Sequence, residues 1–240
     1  MRPHQETSVL REPYRIAGLW VRVILLVVLL WGGLLTVLSA NPRERSAADF
    51  QAALRAKQVT YVLYEGDDNH VRGWRWSTGP LLWYRAQELT RPTPMRPDLT
   101  VELDTVDPRP VVRWVSGHDN TLGPFPNWPF QVPEPTANLL VKVAWIATFV
   151  IMIGTARPRL GNRWAWFWLF TIGEIGAIMF LFSEPRAVWR GLGPQGPDPG
   201  RMGGGRGFLM AICLNWLISI VAFVGIFGGV QTLLDVLVRP

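Results

Sequence analysis

Apolar residues in this chain gather into four blocks of helical length, with polar stretches between them. The first block, Val23 to Ala40, has 18 residues without a charge and extends backwards through Ile16, Ala17, Gly18, Leu19 and Trp20. A helix of about 23 residues at roughly 1.5 Å each crosses a hydrocarbon core of roughly 30 Å, so the pattern predicts a transmembrane helix over residues 16–40. The second block, 138–156, contains one charge, Lys142. The third, 164–183, is interrupted only by Glu174, and the fourth, 208–234, has no charge at all. Four crossings is the economical reading, and it predicts a mainly α membrane protein. A cleavable signal peptide has a shorter apolar core and small residues before the cut. Here Leu38 occupies the position that wants a small side chain, so the first block reads as an uncleaved anchor.

Between the first two blocks the period changes. Ser46-Ala-Ala-Asp49 has the spacing of a capping box, and Phe50, Ala53 and Leu54 then fall on one helical face, predicting a short amphipathic helix to about Lys57. From Val59 the alternation has period two, and further strand patterns occur at Val71 to Ser77, Leu81 to Ala86, Leu99 to Leu103 and Val111 to Ser116. One helix and several short strands predict a compact α+β domain over 41–122, inserted between the first and second crossings. Gly123 to Pro135 has five prolines in 13 residues, so 123–137 reads as an extended strap before the second crossing.

Charge sets the orientation. Arg2, Arg11, Arg15 and Arg22 flank the first block, and the loop 157–163 carries Arg157, Arg159 and Arg163 with no acid. The positive-inside bias places both segments in the cytosol, which puts the tail 1–15 and the C-terminus 235–240 inside and the α+β domain outside. One segment runs against this. Parity makes 184–207 an outer Gly/Pro-rich loop, yet it carries Arg186, Arg190, Arg201 and Arg206 against Glu184 and Asp198.

Composition narrows the partners. Hydrophobic residues make up 49% of the chain and there are 13 Trp, which places it in the membrane class. The net charge of +6 does not point to nucleic acid, because residues 41–135 hold 11 basic and 12 acidic side chains. Only Lys57 and Lys142 among the 24 basic residues are lysine, a skew expected of a GC-rich bacterial genome. The single cysteine, Cys213, excludes an intramolecular disulfide and a Cys-based zinc site.

The candidate chemistry is sparse. Glu174 falls near mid-bilayer, where an ionised acid costs roughly 2.5 to 3.5 kcal/mol, so it is expected to be neutral, paired or in a hydrated cavity. Arg22 and Asn215 are its nearest candidate partners by depth. Trp74 and Trp76 share a strand face, to be read either as core or as an aromatic platform for a carbohydrate or peptide. Trp164, Trp166, Phe167, Trp168 and Phe170 crowd the inner end of the third block as an interfacial belt would. Gly225 and Gly229 have the GxxxG spacing that lets helices approach closely, within the molecule or between copies. Gly191 to Gly196 matches G-x-G-x-x-G but lacks a preceding strand and is broken by Pro194, so it reads as a loop. No catalytic constellation, metal site or cofactor motif is recognisable. The sequence therefore predicts a non-catalytic multi-pass protein of the cytoplasmic membrane. It would display its outer domain as an accessory, sensory or scaffold subunit, with lipid and a membrane protein or a second copy as partners. The alternative is a small proton- or ion-coupled transporter using Glu174.

Overall fold

The computed structural model describes residues 12–67, 70–86, 93–94, 108–116, 128–129, 132–155, 158–172, 175–184, 200 and 202–228. The chain forms two compact units, residues 1–31 with 140–216 and residues 32–139 with 217–240. Helix α1 (Glu12–Ala40) contributes to both. Among the described residues two helices are long and apolar enough to cross a membrane: Ile16–Ala40 of α1, and α3 (Pro135–Gly154).

The sheet unit begins two residues after α1. Strand β1 (Arg43–Arg45) is followed by α2 (Ala47–Arg55), β2 (Tyr61–Asp67), β3 (His70–Gly79), β4 (Leu82–Ala86), the two-residue β5 (Thr93–Pro94) and β6 (Val111–Ser116). The sheet order is β1-β4-β3-β2-β6, with β5 pairing β3. β2, β3 and β4 form an antiparallel meander, whereas β1 on β4 and β6 on β2 are parallel. The strand patterns read at 59–64, 71–77, 81–86 and 111–116 correspond to β2, β3, β4 and β6. The one read at Leu99 to Leu103, and residues 123–127 of the strap, lie outside the described residues.

Helix α2 starts where the sequence predicts, and for the predicted reason. Asp49 N donates to Ser46 Oγ at 3.1 Å, and Ser46 N donates to Asp49 Oδ2 at 3.1 Å, closing the reciprocal box. These bonds to its ionised form hold the Asp49 carboxyl below the usual carboxylate range. The helix ends in a Schellman turn: Gln58 N donates to Ala53 O at 3.0 Å, Lys57 N donates to Leu54 O at 2.9 Å, and Lys57 takes the left-handed conformation at φ 56°.

Alternation then sorts the sheet into two faces. Val62, Tyr64, Trp74, Trp76 and Ala86 are buried with Phe50 and Leu54 of α2, so the helix seals this face. Tyr61, Leu63 and Trp83 form the core of the other face, with Leu38 from the last turns of α1 packed against them. Arg75 Nη1 donates to Ser39 O at 3.0 Å, which satisfies one of the carbonyls that a helix end leaves without a partner. The sheet is thereby fixed to the end of α1 by both an apolar contact and a polar one.

The other unit takes α3 from Leu140 onward, α4 (Arg163–Thr171), α5 (Gly176–Ser183) and α6 (Gly204–Gly228) as far as Trp216. Here the structure departs from the sequence reading. The third apolar block is predicted to be one crossing helix over 164–183, but its described residues form two short helices folded back on each other. Trp166 meets Phe180 edge-on at 5.2 Å between ring centroids, and Phe170 meets the same ring at 5.9 Å. A Cβ added at Gly176 would lie 2.2 Å from the carbonyl of Leu169, so the start of α5 abuts the last turns of α4 backbone to backbone.

Candidate functional site

The helical hairpin α4–α5 brings together polar groups that the sequence places on opposite sides of a membrane. Its base is built from three segments. Asn162 caps α4, its side chain accepting from Ala165 N at 2.7 Å. Immediately before it, Arg159 N and Leu160 N donate to the Glu184 carboxylate at 2.7 and 2.5 Å, one to each oxygen. Glu184 follows the last residue of α5 and is only 1% exposed. Residues 160–162 also pair with Met202, two residues before α6: Met202 N donates to Leu160 O at 2.9 Å and Asn162 N donates to Met202 O at 3.0 Å. Arg22 of α1 joins this end by donating through Nη2 to Leu181 O, with the Glu184 charge close enough to interact.

The tip is held by a different group. Ile172 is the C-cap of α4, and its carbonyl accepts from Asn215 Nδ2 at 3.3 Å. Asn215 is the twelfth of 25 residues in α6, about half-way along it. The N-terminus of α5, at Ile175, has no side-chain cap. Glu174 falls between the two short helices in sequence and lies outside the described residues. Of the three polar candidates read from the sequence, the structure thus puts Arg22 at the base and Asn215 at the tip, and does not bring those two together.

The tryptophan-rich segment reads differently in three dimensions. Trp166 and Phe170 are buried against Phe180 rather than forming a belt, while Trp164 is exposed on the first turn of α4. Trp145 stacks on Phe149 in α3 at 5.4 Å, and both meet Phe170, so aromatic rings fill the space between α3 and the hairpin. Trp168 meets Phe208 of α6 at 5.3 Å.

Close approach of α4 and α6 depends on a glycine that the sequence reading passed over. A Cβ at Gly207 would lie 2.5 Å from Cα and Cβ of Ala165, so only glycine fits. The pair that was singled out, Gly225 and Gly229, is described only at Gly225, which lies within α6.

In the sheet unit, Trp74 and Trp76 face the interior, 9% and 1% exposed, packed on Phe50 at 6.1 and 5.1 Å. They are core rather than a surface platform. Tyr64 shares this core and its hydroxyl is buried without a hydrogen-bond partner. Burial pushes its pKa up to about 12. Tyr61, on the other face, is also raised by burial, with a hydrogen bond from Arg113 acting in the opposite direction. Among the described residues no group of three or more His, Cys, Asp or Glu could hold a metal. Comparison of the chain with family models, with curated proteins and with solved structures gives no match.

Proposed function

We propose that this chain is an integral protein of the cytoplasmic membrane that displays the α2-sealed sheet outside the cell and acts as a non-catalytic accessory subunit of an envelope assembly. The observation that carries the membrane reading is the character of the exposed helix faces. Trp20, Ile24, Val27, Trp31 and Leu34 form one exposed stripe on α1, and Leu139, Val143, Ile146, Val150 and Ile153 form another on α3. The inward stripes are apolar too, with Leu26 and Leu29 on α1 and Val141, Ala144 and Met152 on α3. A soluble protein would place polar residues on the outward face, whereas a helix apolar all round belongs in lipid. Thr36, Thr148, Thr171 and Ser183 each donate to a carbonyl four residues back, so these hydroxyls need no water.

The topology we favour has three crossings, α1, α3 and α6, with α4–α5 as a re-entrant hairpin opened toward the cytosol. Two independent features support it. Glu184 meets the backbone of residues 159 and 160, which follow α3, so the hairpin begins and ends at the same level. With the hairpin removed from the count of crossings, 184–206 becomes cytoplasmic, and its four arginines agree with the positive-inside bias instead of opposing it. The C-terminus is then outside. Fusions at residue 240 test this: an active phosphatase and a dark fluorescent protein are expected, and the reverse restores four crossings. The accessory role is tested by in-cell crosslinking followed by mild-detergent purification, where a larger complex is expected and repeated recovery of the monomer alone refutes it.

One observation favours a second reading, an ion- or proton-coupled transporter. Transport sites are commonly built where membrane helices are interrupted, and in the third block one helix ends at Thr171 and the next starts at Gly176, with Glu174 between them in sequence. Flux lost in Glu174→Gln with normal assembly would select this reading. Unchanged flux and folding would remove it.

A further inference from the structure

The hairpin base gathers positive charge in a way that its fold alone does not require. Arg159 and Arg163 flank the α4 cap, and Arg206 lies in the first turn of α6, beside the Leu160–Met202 pairing and the Gly207–Ala165 approach. Arg163 and Arg206 are exposed, and Arg163 Nε makes one long bond, 3.4 Å, to Thr155 O. Arg159 is partly buried with its Nε unpartnered. Glu184 is the one acid among the described residues of this base, and both of its oxygens already accept backbone N–H donors. Three arginines from two chain segments therefore lie around this base together with an exposed indole, Trp164, and among the described residues there the only acid is Glu184, already satisfied by backbone.

We propose that this base is a binding surface for the phosphodiester headgroups of anionic phospholipids in the cytoplasmic leaflet. The proposal rests on the membrane reading above. Guanidinium groups bind phosphate oxygens through paired N–H donors, and an indole beside them suits the headgroup level of a bilayer. Each arginine near an anionic surface favours it by about fivefold, so three together give a preference of roughly 10²-fold for an anionic over a zwitterionic lipid, or about 3 kcal/mol at 1.4 kcal/mol per tenfold.

The test uses the full-length protein in nanodiscs of phosphatidylcholine, with and without phosphatidylglycerol, reading retained lipid by native mass spectrometry and thermal midpoint in parallel. Selective retention of phosphatidylglycerol and a raised midpoint are expected, both lost in the triple variant Arg159→Gln, Arg163→Gln, Arg206→Gln and both kept in the control Arg55→Gln, Lys57→Gln. If the triple variant does not fold, the wild type in 0.5 M salt replaces it, about 4 Å of screening length being enough to suppress the preference. Equal retention of both lipids overturns the proposal, as does a preference that survives the triple substitution. Inorganic phosphate at matched concentration separates the sources: stabilisation by phosphate equal to that by lipid assigns the site to a free anion and overturns the lipid assignment. Failure of the protein to enter nanodiscs at all would refute the membrane reading instead.

Discussion

Replacing Glu184 by alanine should open the hairpin. The carboxylate is 1% exposed and accepts from Arg159 N and Leu160 N at 2.7 and 2.5 Å. Hydrogen bonds to a charged group contribute about 1.5–3 kcal/mol each, so removing both acceptors should cost roughly 3–6 kcal/mol, the more so because Arg22 loses its nearby counter-charge. The geometry gives the variant a specific readout. In a straight helix, residues 160 and 184 would stand about 36 Å apart, at about 1.5 Å per residue, whereas here they touch. The same contrast applies to Gly161 and Met202, which pair as a β-bridge and so have Cα atoms about 5 Å apart, within disulfide range. In a Cys213→Ala background, Gly161→Cys with Met202→Cys should oxidise readily in membranes, and adding Glu184→Ala should sharply lower the yield. Reversible unfolding in mixed micelles supplies the energy. Absence of the crosslink in the parent would refute the hairpin. A stability change under about 1 kcal/mol for Glu184→Ala would refute the role given to the carboxylate.

Lys57→Gly should stabilise the sheet unit by about 1 kcal/mol in chemical denaturation, because Lys57 holds a left-handed conformation at φ 56° that costs a side-chain-bearing residue about 1–2 kcal/mol. Tyr64 predicts a pH dependence. With its folded pKa at about 12 against about 10 unfolded, stability is fully present below pH 10 and is lost as pH rises toward 12, by about 3 kcal/mol. Tyr64→Phe should flatten that alkaline slope in pH-dependent melts and, because the buried hydroxyl has no partner, should cost nothing at pH 7. Gly207→Val should cost about 1–3 kcal/mol in thermal unfolding, since its Cβ would fall 2.5 Å from Ala165.

Much of the sheet unit was legible because its signals are local. A serine three residues before an aspartate fixes where α2 begins, and period-two alternation locates β2, β3, β4 and β6. The parallel pairing of β1 with β4 and of β6 with β2 was not, since it joins strands distant in sequence and leaves no local periodicity. The hairpin was hidden for another reason. Hydropathy over 164–183 is the same whether a helix crosses or turns back, so block length alone favours a crossing. Two signals were present: Gly173 and Gly176 bracket Glu174 in mid-block, where glycine weakens a helix, and the arginines of 184–206 conflicted with their assigned side. Gly207 was missed because its partner, Ala165, is on another helix, and close approach between segments has no one-dimensional spacing to find.

The clasp between Arg75 and Ser39 bears on how force would pass through the molecule. Only Asn41 and Pro42 separate the end of α1 from β1, and Leu38 is wedged under Tyr61, Leu63 and Trp83. A domain tied so briefly and at two further points is not a cargo swinging on a string. It is a handle on a shaft, so that a load on the sheet would pass directly into the last turns of α1 instead of being taken up by a linker.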